Sequence, residues 1–223
     1  WITNFKRLNK YPCIFLANEF FDAIPIKQFK KNRNNWFERY VCLSSNKKAK
    51  FVNKKINLRE IEKKINFKVS EKQNFIEYSP LGLKYLKDIF SFIKRNDGGL
   101  LIIDYGYFSE KMKDTLQAIY KKKYSRVLEN IGYSDITHNI NYYFIKKIAK
   151  NFKKLNINFT SQKKFLTNLG IYQRAEIISK NKTFSEKSNI FYRLKRLIDK
   201  KEMGNLFKVM LIKKTNNNFQ IGF

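Results

Sequence analysis

The chain is 223 residues long and carries 47 lysines and arginines against 18 acids, a formal net charge of +29. Its hydrophobic content of 43% and aromatic content of 16% suffice for a sizeable core in one large domain or two small ones. The apolar residues are never gathered into a long uncharged run, so no membrane-spanning helix is predicted.

Along the chain, residues 12–18 read first as a strand. Cys13 to Leu16 is apolar without alternation, the pattern of a strand buried on both faces of a parallel sheet. Residues 26–30, 36–43 and 49–53 read as short strands, with Lys31 to Asn35 as a turn, so 26–78 is expected to be a β-rich insertion. Residues 58–64 read as a short helix. Over 80–95, Leu86, Ile89, Phe90 and Ile93 fall at helical spacing, with Ser79 placed to cap and Pro80 at the first helical position. Gly98-Gly99 is expected to end that helix. Residues 100–105 then form a second buried strand, parallel to the first through a right-handed crossover. Residues 107–140 are a long excursion of weak periodicity, and loops of that length are often functional. A helix over 141–154, a strand over 156–160, short helices over 161–169 and 172–180, and a helix over 185–200 follow. Leu206 to Ile212 reads as a strand that turns at Asn216–Asn218 into Phe219–Ile221, a late antiparallel hairpin.

The charge invites a nucleic-acid partner, but lysine dominates, and pairs such as Lys47-Lys48, Lys63-Lys64 and Lys153-Lys154 are scattered. A phosphate-tracking surface calls for one stripe with arginine and aromatics interleaved. Abundant Lys, Asn, Ile, Phe and Tyr is the usage of AT-rich codons, so a solvated basic surface is expected and nucleic-acid binding is not. Cys13 and Cys42 are too isolated for a zinc site or a disulfide framework and read as reduced thiols. Lys6, Arg7 and Lys10 are not followed by the apolar stretch and cleavage site of a signal peptide. His138, the one histidine, lies on a polar stretch and is expected to face solvent, offering no triad or metal set.

The first strand opens into Ala17-Asn18-Glu19-Phe20-Phe21-Asp22-Ala23-Ile24-Pro25. Ligands of open α/β sheets bind beyond the carboxyl ends of the strands, so two acids, an amide and two aromatics stand where chemistry is normally placed. The stretch resembles the signature of the MidA-like methyltransferases, which use S-adenosyl-L-methionine (SAM) and include the mitochondrial complex I assembly factor that methylates an arginine. Further pieces occur in family order. Gly98 to Tyr107 resembles the family's GG-apolar-DYG segment, Asp114 to Ala118 its DTLQA, Asp135 to Thr137 its DLT, and Met203 to Val209 its MG-x-LFKV. Glu77, Ser79 and Pro80 fit its E-x-SP, and Arg193-Leu194 its RL. The family's usual histidine and aspartate after DLT are here Asn139 and Asn141, and a usual histidine after DTLQA is Lys122.

The resemblance implies an α/β fold: the carboxyl-terminal part of a Rossmann-like class I methyltransferase sheet, as one incomplete domain over 1–223. Residues 26–78 would be its insertion and 107–140 an active-site excursion. The family's glycine-rich SAM turn, roughly E-x-GPGRGTL, has no counterpart in this sequence. The expectation is therefore a portion of a longer protein, with its first strands and main SAM cradle upstream, and inactive alone. SAM is the implied cofactor and a protein arginine the implied acceptor, with a respiratory complex I subunit as implied partner. The implied setting is the cytoplasm of a low-GC bacterium or the mitochondrial matrix. A non-catalytic assembly factor that keeps the fold and docks a partner is one alternative, and a basic nucleic-acid-binding module is a lesser one.

In-line methyl transfer needs an aligned nucleophile, a desolvated site and removal of a proton. A guanidinium acceptor is cationic and planar and pairs best with carboxylates. On this resemblance Glu19 orients the acceptor nitrogen and Asp22 assists as second carboxylate or base. Asn18 turns its carbonyl oxygen toward acceptor or methyl group. Asn18 and Phe20 also flank the cofactor, and Phe21 lines the substrate side. By composition alone, Glu19 and Asp22 would more often be caps, and Phe20-Phe21 core. Asp104 and Tyr105 end the second strand at the same crevice, where Asp104 either contacts substrate or caps backbone amides. Thr115 and Gln117 either line the acceptor channel or are structural.

Overall fold

The computed structural model describes residue 8 and residues 10–223. In chain order, β1 (Cys13–Asn18) is followed by the insertion, which holds β2 (Lys27–Asn32), β3 (Asn35–Leu43), β4 (Ala49–Ile56), α1 (Leu58–Ile65) and β5 (Phe75–Tyr78). The helix α2 (Pro80–Asn96) leads into β6 (Gly98–Tyr107). The excursion contains β7 (Gln117–Tyr120), β8 (Lys123–Ser125) and β9 (Asp135–Thr137), and β10 (Ile140–Asn141) precedes α3 (Tyr142–Lys150). After β11 (Leu155–Ser161) come α4 (Gln162–Asn168), α5 (Ile171–Ser179), α6 (Phe184–Ile198), α7 (Met203–Leu206) and β12 (Phe207–Lys214).

The central sheet has the order β1-β6-β12-β11, with β10 pairing to β6. β1 runs parallel to β6, from Cys13 opposite Gly98 to Asn18 opposite Ile103. β12 runs antiparallel to β6 on one side and to β11 on the other. The insertion forms a four-stranded sheet of its own, β4-β3-β2-β5, and the excursion a three-stranded one, β8-β7-β9.

The helix between the two parallel strands forms as its sequence dictates. The Ser79 hydroxyl accepts from the Gly82 N–H (2.9 Å), and Pro80 opens the first turn. Its buried stripe of Leu86, Ile89, Phe90 and Ile93 packs on the sheet in one core with Ala17, Leu100, Ile102, Met210 and Ile212. α3 adds Ile145 and Ile148 to the same core. The helix ends at Asp97, whose N–H donates to the Ile93 carbonyl. Gly98 starts β6 rather than capping the helix, with φ of 101°, and a Cβ there would collide with the Cys13 backbone.

Two sequence expectations are corrected. β1 is not buried on both faces: Ile14 is 82% and Leu16 67% exposed, while Ala17 is buried. Among the described residues β1 pairs only with β6, so one edge carries these apolar side chains into solvent. The late hairpin does not form either. Both edges of β12 are already taken, by β6 and β11, so no backbone remains for Phe219–Ile221 to pair with. That segment folds back instead, with Lys213 donating to the Phe219 carbonyl and Phe223 packing on Phe165. The antiparallel strands come from β11 and β12.

Candidate active site

The carboxyl ends of β1 and β6 converge on a turn at residues 19–24. The Glu19 N–H still donates to the Ile103 carbonyl (3.0 Å), but its φ of 46° takes the chain out of the strand. That left-handed residue leaves Asn18, Glu19 and Phe20 exposed and sends Phe21 and Asp22 inward. Phe20 rests edge-on against Phe21 and tilted against Tyr85, with ring centroids 5.2 and 5.8 Å apart. Phe21 itself is 4% exposed and belongs to the core, so it supports the rim without lining it.

Asp104 is the clamp of this turn. Its Oδ2 accepts from the N–H groups of Phe21 (3.1 Å) and Asp22 (3.3 Å), and its Oδ1 from the Tyr105 N–H (2.9 Å). The side chain is fully buried, and burial, reinforced by the Asp22 carboxylate, pushes its pKa up to about 7. Tyr105 donates its hydroxyl to Glu19 Oε2 (2.9 Å) and lies against Phe207, and burial followed by that hydrogen bond raises its pKa. Gly106 permits the packing underneath. A Cβ there would run into the Ile140 carbonyl and the Tyr142 ring, whose hydroxyl donates to the Asp104 and Lys208 carbonyls (3.1 and 3.0 Å).

The excursion returns to the same place. The His138 N–H donates to the Asp22 carbonyl (3.1 Å). Asp22 and His138 are 4% and 7% exposed, which corrects the expectation of a solvent-facing histidine. Asp22 Oδ1 and His138 Nε2 are both buried without a hydrogen-bond partner. Burial first, then Glu19, raises the Asp22 pKa, and burial lowers that of His138.

Thr115 and Gln117 are engaged elsewhere. The Thr115 hydroxyl donates to Glu77 Oε1 and accepts from the Asn139 N–H (2.9 Å), and Gln117 donates to Thr137 (3.1 Å). Gln28 bridges Glu77 and Asp114 (2.5 and 2.8 Å), and Arg39 joins Gln28 and Asp114 (2.9 and 2.8 Å). This network, of which the sequence motifs marked Glu77, Asp114 and Thr115 but not Gln28 or Arg39, fastens the excursion to the insertion. Both threonine and glutamine therefore hold the excursion in place, and neither bond points to a ligand.

The acids of the turn stand outside the ion pairs of the described residues. In a chain of net charge +29, none of the ion pairs among the described residues involves Glu19, Asp22 or Asp104. No group of His, Cys, Asp and Glu suited to a metal ion occurs among the described residues. A concavity of about 1350 Å³ lies elsewhere, against the insertion and α1, and its Lys147 is paired with Glu71 (2.7 Å).

The parallel strands β1 and β6 thus end in a turn clamped by the buried Asp104, with Glu19 exposed at the surface next to Phe20. A family model described as "Putative S-adenosyl-L-methionine-dependent methyltransferase" matches residues 1–160, and the chain belongs to that family. Among curated proteins it is similar to the zebrafish (Danio rerio) mitochondrial protein arginine methyltransferase NDUFAF7, 25% identical over 215 residues, covering 96% of this chain and 50% of that protein. The Caenorhabditis elegans homologue is 28% identical over 163 residues, covering 72% of this chain and 38% of that protein. The chain thus spans about half the length of the curated relatives it matches. A Burkholderia thailandensis structure bound to S-adenosyl-homocysteine superposes with a TM-score of 0.78 at 20% identity, covering 100% of this chain and 58% of that one. That likeness establishes the methyltransferase-type fold.

Proposed function

We propose that the protein transfers a methyl group from SAM to a protein arginine, with the crevice at Glu19–Asp22 as the acceptor site. The observation that carries the reading is the exposed Glu19, outside the ion pairs of the described residues and backed by the buried Asp22 and Asp104 at the ends of β1 and β6, in a chain otherwise crowded with lysine. It is complementary to a cation, and the ring of Phe20 beside it favours a planar or sulfonium one. The relatives named as protein arginine methyltransferases make guanidinium the favoured acceptor.

Asn18 and Phe20, exposed at the mouth, fit the methyl-bearing end of SAM, which supplies an electrophilic methyl group on a sulfonium. Glu19, steadied by the Tyr105 hydroxyl, pairs with the guanidinium and fixes its orientation. Asp22, buried beneath Glu19 with one oxygen lacking a hydrogen-bond partner and its pKa raised, takes the proton that the acceptor nitrogen must lose once the turn admits the acceptor. Asp104 fixes both by clamping the turn, and Phe20 excludes water. A complex I subunit is the proposed acceptor protein, in the mitochondrial matrix or in a bacterial cytoplasm. No helix among the described residues is long and apolar enough to cross a membrane.

Binding of an arginine peptide and its citrulline counterpart, equal in shape and neutral, tests the acceptor site directly. The arginine form is expected to bind about tenfold or more tightly, because a charge-assisted hydrogen bond contributes roughly 1.5–3 kcal/mol. Glu19→Gln should remove that preference. Equal affinity for the two peptides would overturn the assignment.

A further inference from the structure

We propose that Tyr105 and Phe207 are positioning residues that act through Glu19: the ring of Phe207 fixes the ring of Tyr105, whose hydroxyl holds one carboxylate oxygen of Glu19 and leaves the other for the acceptor. The inference rests on the acceptor-site reading above and extends it to β12, a strand distant in the chain.

Each link is a side-chain contact. The Tyr105 hydroxyl donates to Glu19 Oε2 (2.9 Å), while Glu19 Oε1 takes a long bond from the amide of its neighbour Asn18 (3.5 Å). Tyr105 itself is anchored twice. Its N–H is held by Asp104 Oδ1 (2.9 Å), and it stands opposite Phe207 in the β6–β12 register with ring centroids 4.3 Å apart. Phe207 is 2% exposed. It follows the single turn of α7, where a Cβ on Gly204 would collide with the backbone of Ile198 and Asp199. Glu19, by contrast, is exposed on a left-handed residue, and a long acidic side chain there rotates freely unless something holds it. A hydroxyl already in place removes part of the ordering cost before the acceptor arrives. The donor is also neutral. The chain has 47 lysines and arginines, yet among the described residues none pairs with Glu19, so the carboxylate is oriented without losing the charge that a cation needs.

Tyr105→Phe removes one oxygen and keeps the ring, so it separates the hydroxyl from core packing. In the full-length protein it should lower the preference for an arginine peptide over its citrulline counterpart about fivefold, and kcat/KM for transfer to that peptide by a similar factor. Phe207→Leu should act in the same direction. Both changes should be silent, within about twofold, in a Glu19→Gln background, because each acts through that carboxylate. A merely structural role would lower activity equally in both backgrounds, and that result would overturn the proposal. Urea denaturation of the parent, the Tyr105→Phe and Glu19→Gln variants and their combination reads the contact without any ligand. Tyr105→Phe should shift the folding equilibrium less in the Glu19→Gln background, by about twofold or more, and equal shifts would refute the contact on which the proposal stands. If Glu19→Gln leaves peptide preference and transfer intact, the acceptor-site reading fails and the positioning role falls with it. Preference lost in Glu19→Gln but kept in Tyr105→Phe sinks the positioning role alone.

Discussion

Replacing Asp104 by asparagine probes the clamp on which the whole crevice depends. The carboxylate receives three N–H donors, from Phe21, Asp22 and Tyr105 at 3.1, 3.3 and 2.9 Å. An amide has one oxygen. If it serves the Phe21 and Asp22 donors, its NH₂ group faces the Tyr105 N–H, and the flipped amide orphans the other two. Each buried donor left facing a donor costs about 1–3 kcal/mol. Ionisation adds a pH dependence. Burial and Asp22 raise the Asp104 pKa from its ordinary 3.8 to about 7. A carboxyl with a raised folded-state pKa binds its proton more tightly when folded. Its stabilising contribution is complete below the unfolded value and is lost as pH rises through the folded one. Over that window the loss is on the order of 4 kcal/mol, and Asp22 and Glu77, also raised, act in the same direction. The variant lacks the Asp104 proton, so its deficit should be largest near pH 4–5 and shrink, or reverse, by pH 8. Urea denaturation of both proteins across that range measures it, at unchanged m-value. A deficit that is constant or grows with pH would refute the reasoning, since it would mean that the clamp is ionised throughout.

Gly106→Ala should destabilise the chain by about 1–3 kcal/mol or more, because the added methyl drives against the Ile140 carbonyl and Tyr142 ring, and thermal denaturation reads it directly. Thr115→Val, nearly the same shape, should cost about 1–3 kcal/mol and raise hydrogen exchange at Asn139, whose N–H loses its acceptor, while β11 and β12 stay protected. Ile14→Lys with Leu16→Lys should lower self-association in light scattering without loss of secondary structure, since both side chains stand in solvent on the open edge of β1.

What could be read from the sequence was mostly local. The helix over 80–95 is written in its spacing and in Ser79-Pro80, and the observed Pro80–Asn96 follows from cap and stripe. The runs beside Glu19 and Asp104 gave both core strands and their parallel pairing. What escaped depends on partners distant in the chain. β5 and α7 are four residues each, too short to show a period. The excursion folds into a sheet because β7 pairs with both β8 and β9, a choice that no single stretch encodes. His138 sits among polar neighbours and is buried only because the returning excursion meets the Asp22 turn. Among the site residues, Asn18, Glu19, Phe20, Asp22, Asp104 and Tyr105 converge, with Asp104 as clamp. Phe21, Thr115 and Gln117 fill supporting places, since core packing and the Glu77 network claim them.

The acid turn between β1 and the insertion is the proposed handler of the acceptor in methyl transfer. The most direct test is transfer of labelled methyl groups from SAM to a complex I subunit preparation, with the modified residue located by mass spectrometry, for the full-length protein and for its Glu19→Gln variant. Label on arginine is expected with the unaltered full-length protein, reduced about a hundredfold or more in the variant, as for loss of a group that aligns the reacting atoms. Label that survives undiminished in Glu19→Gln, or that falls on a residue other than arginine, would contradict it.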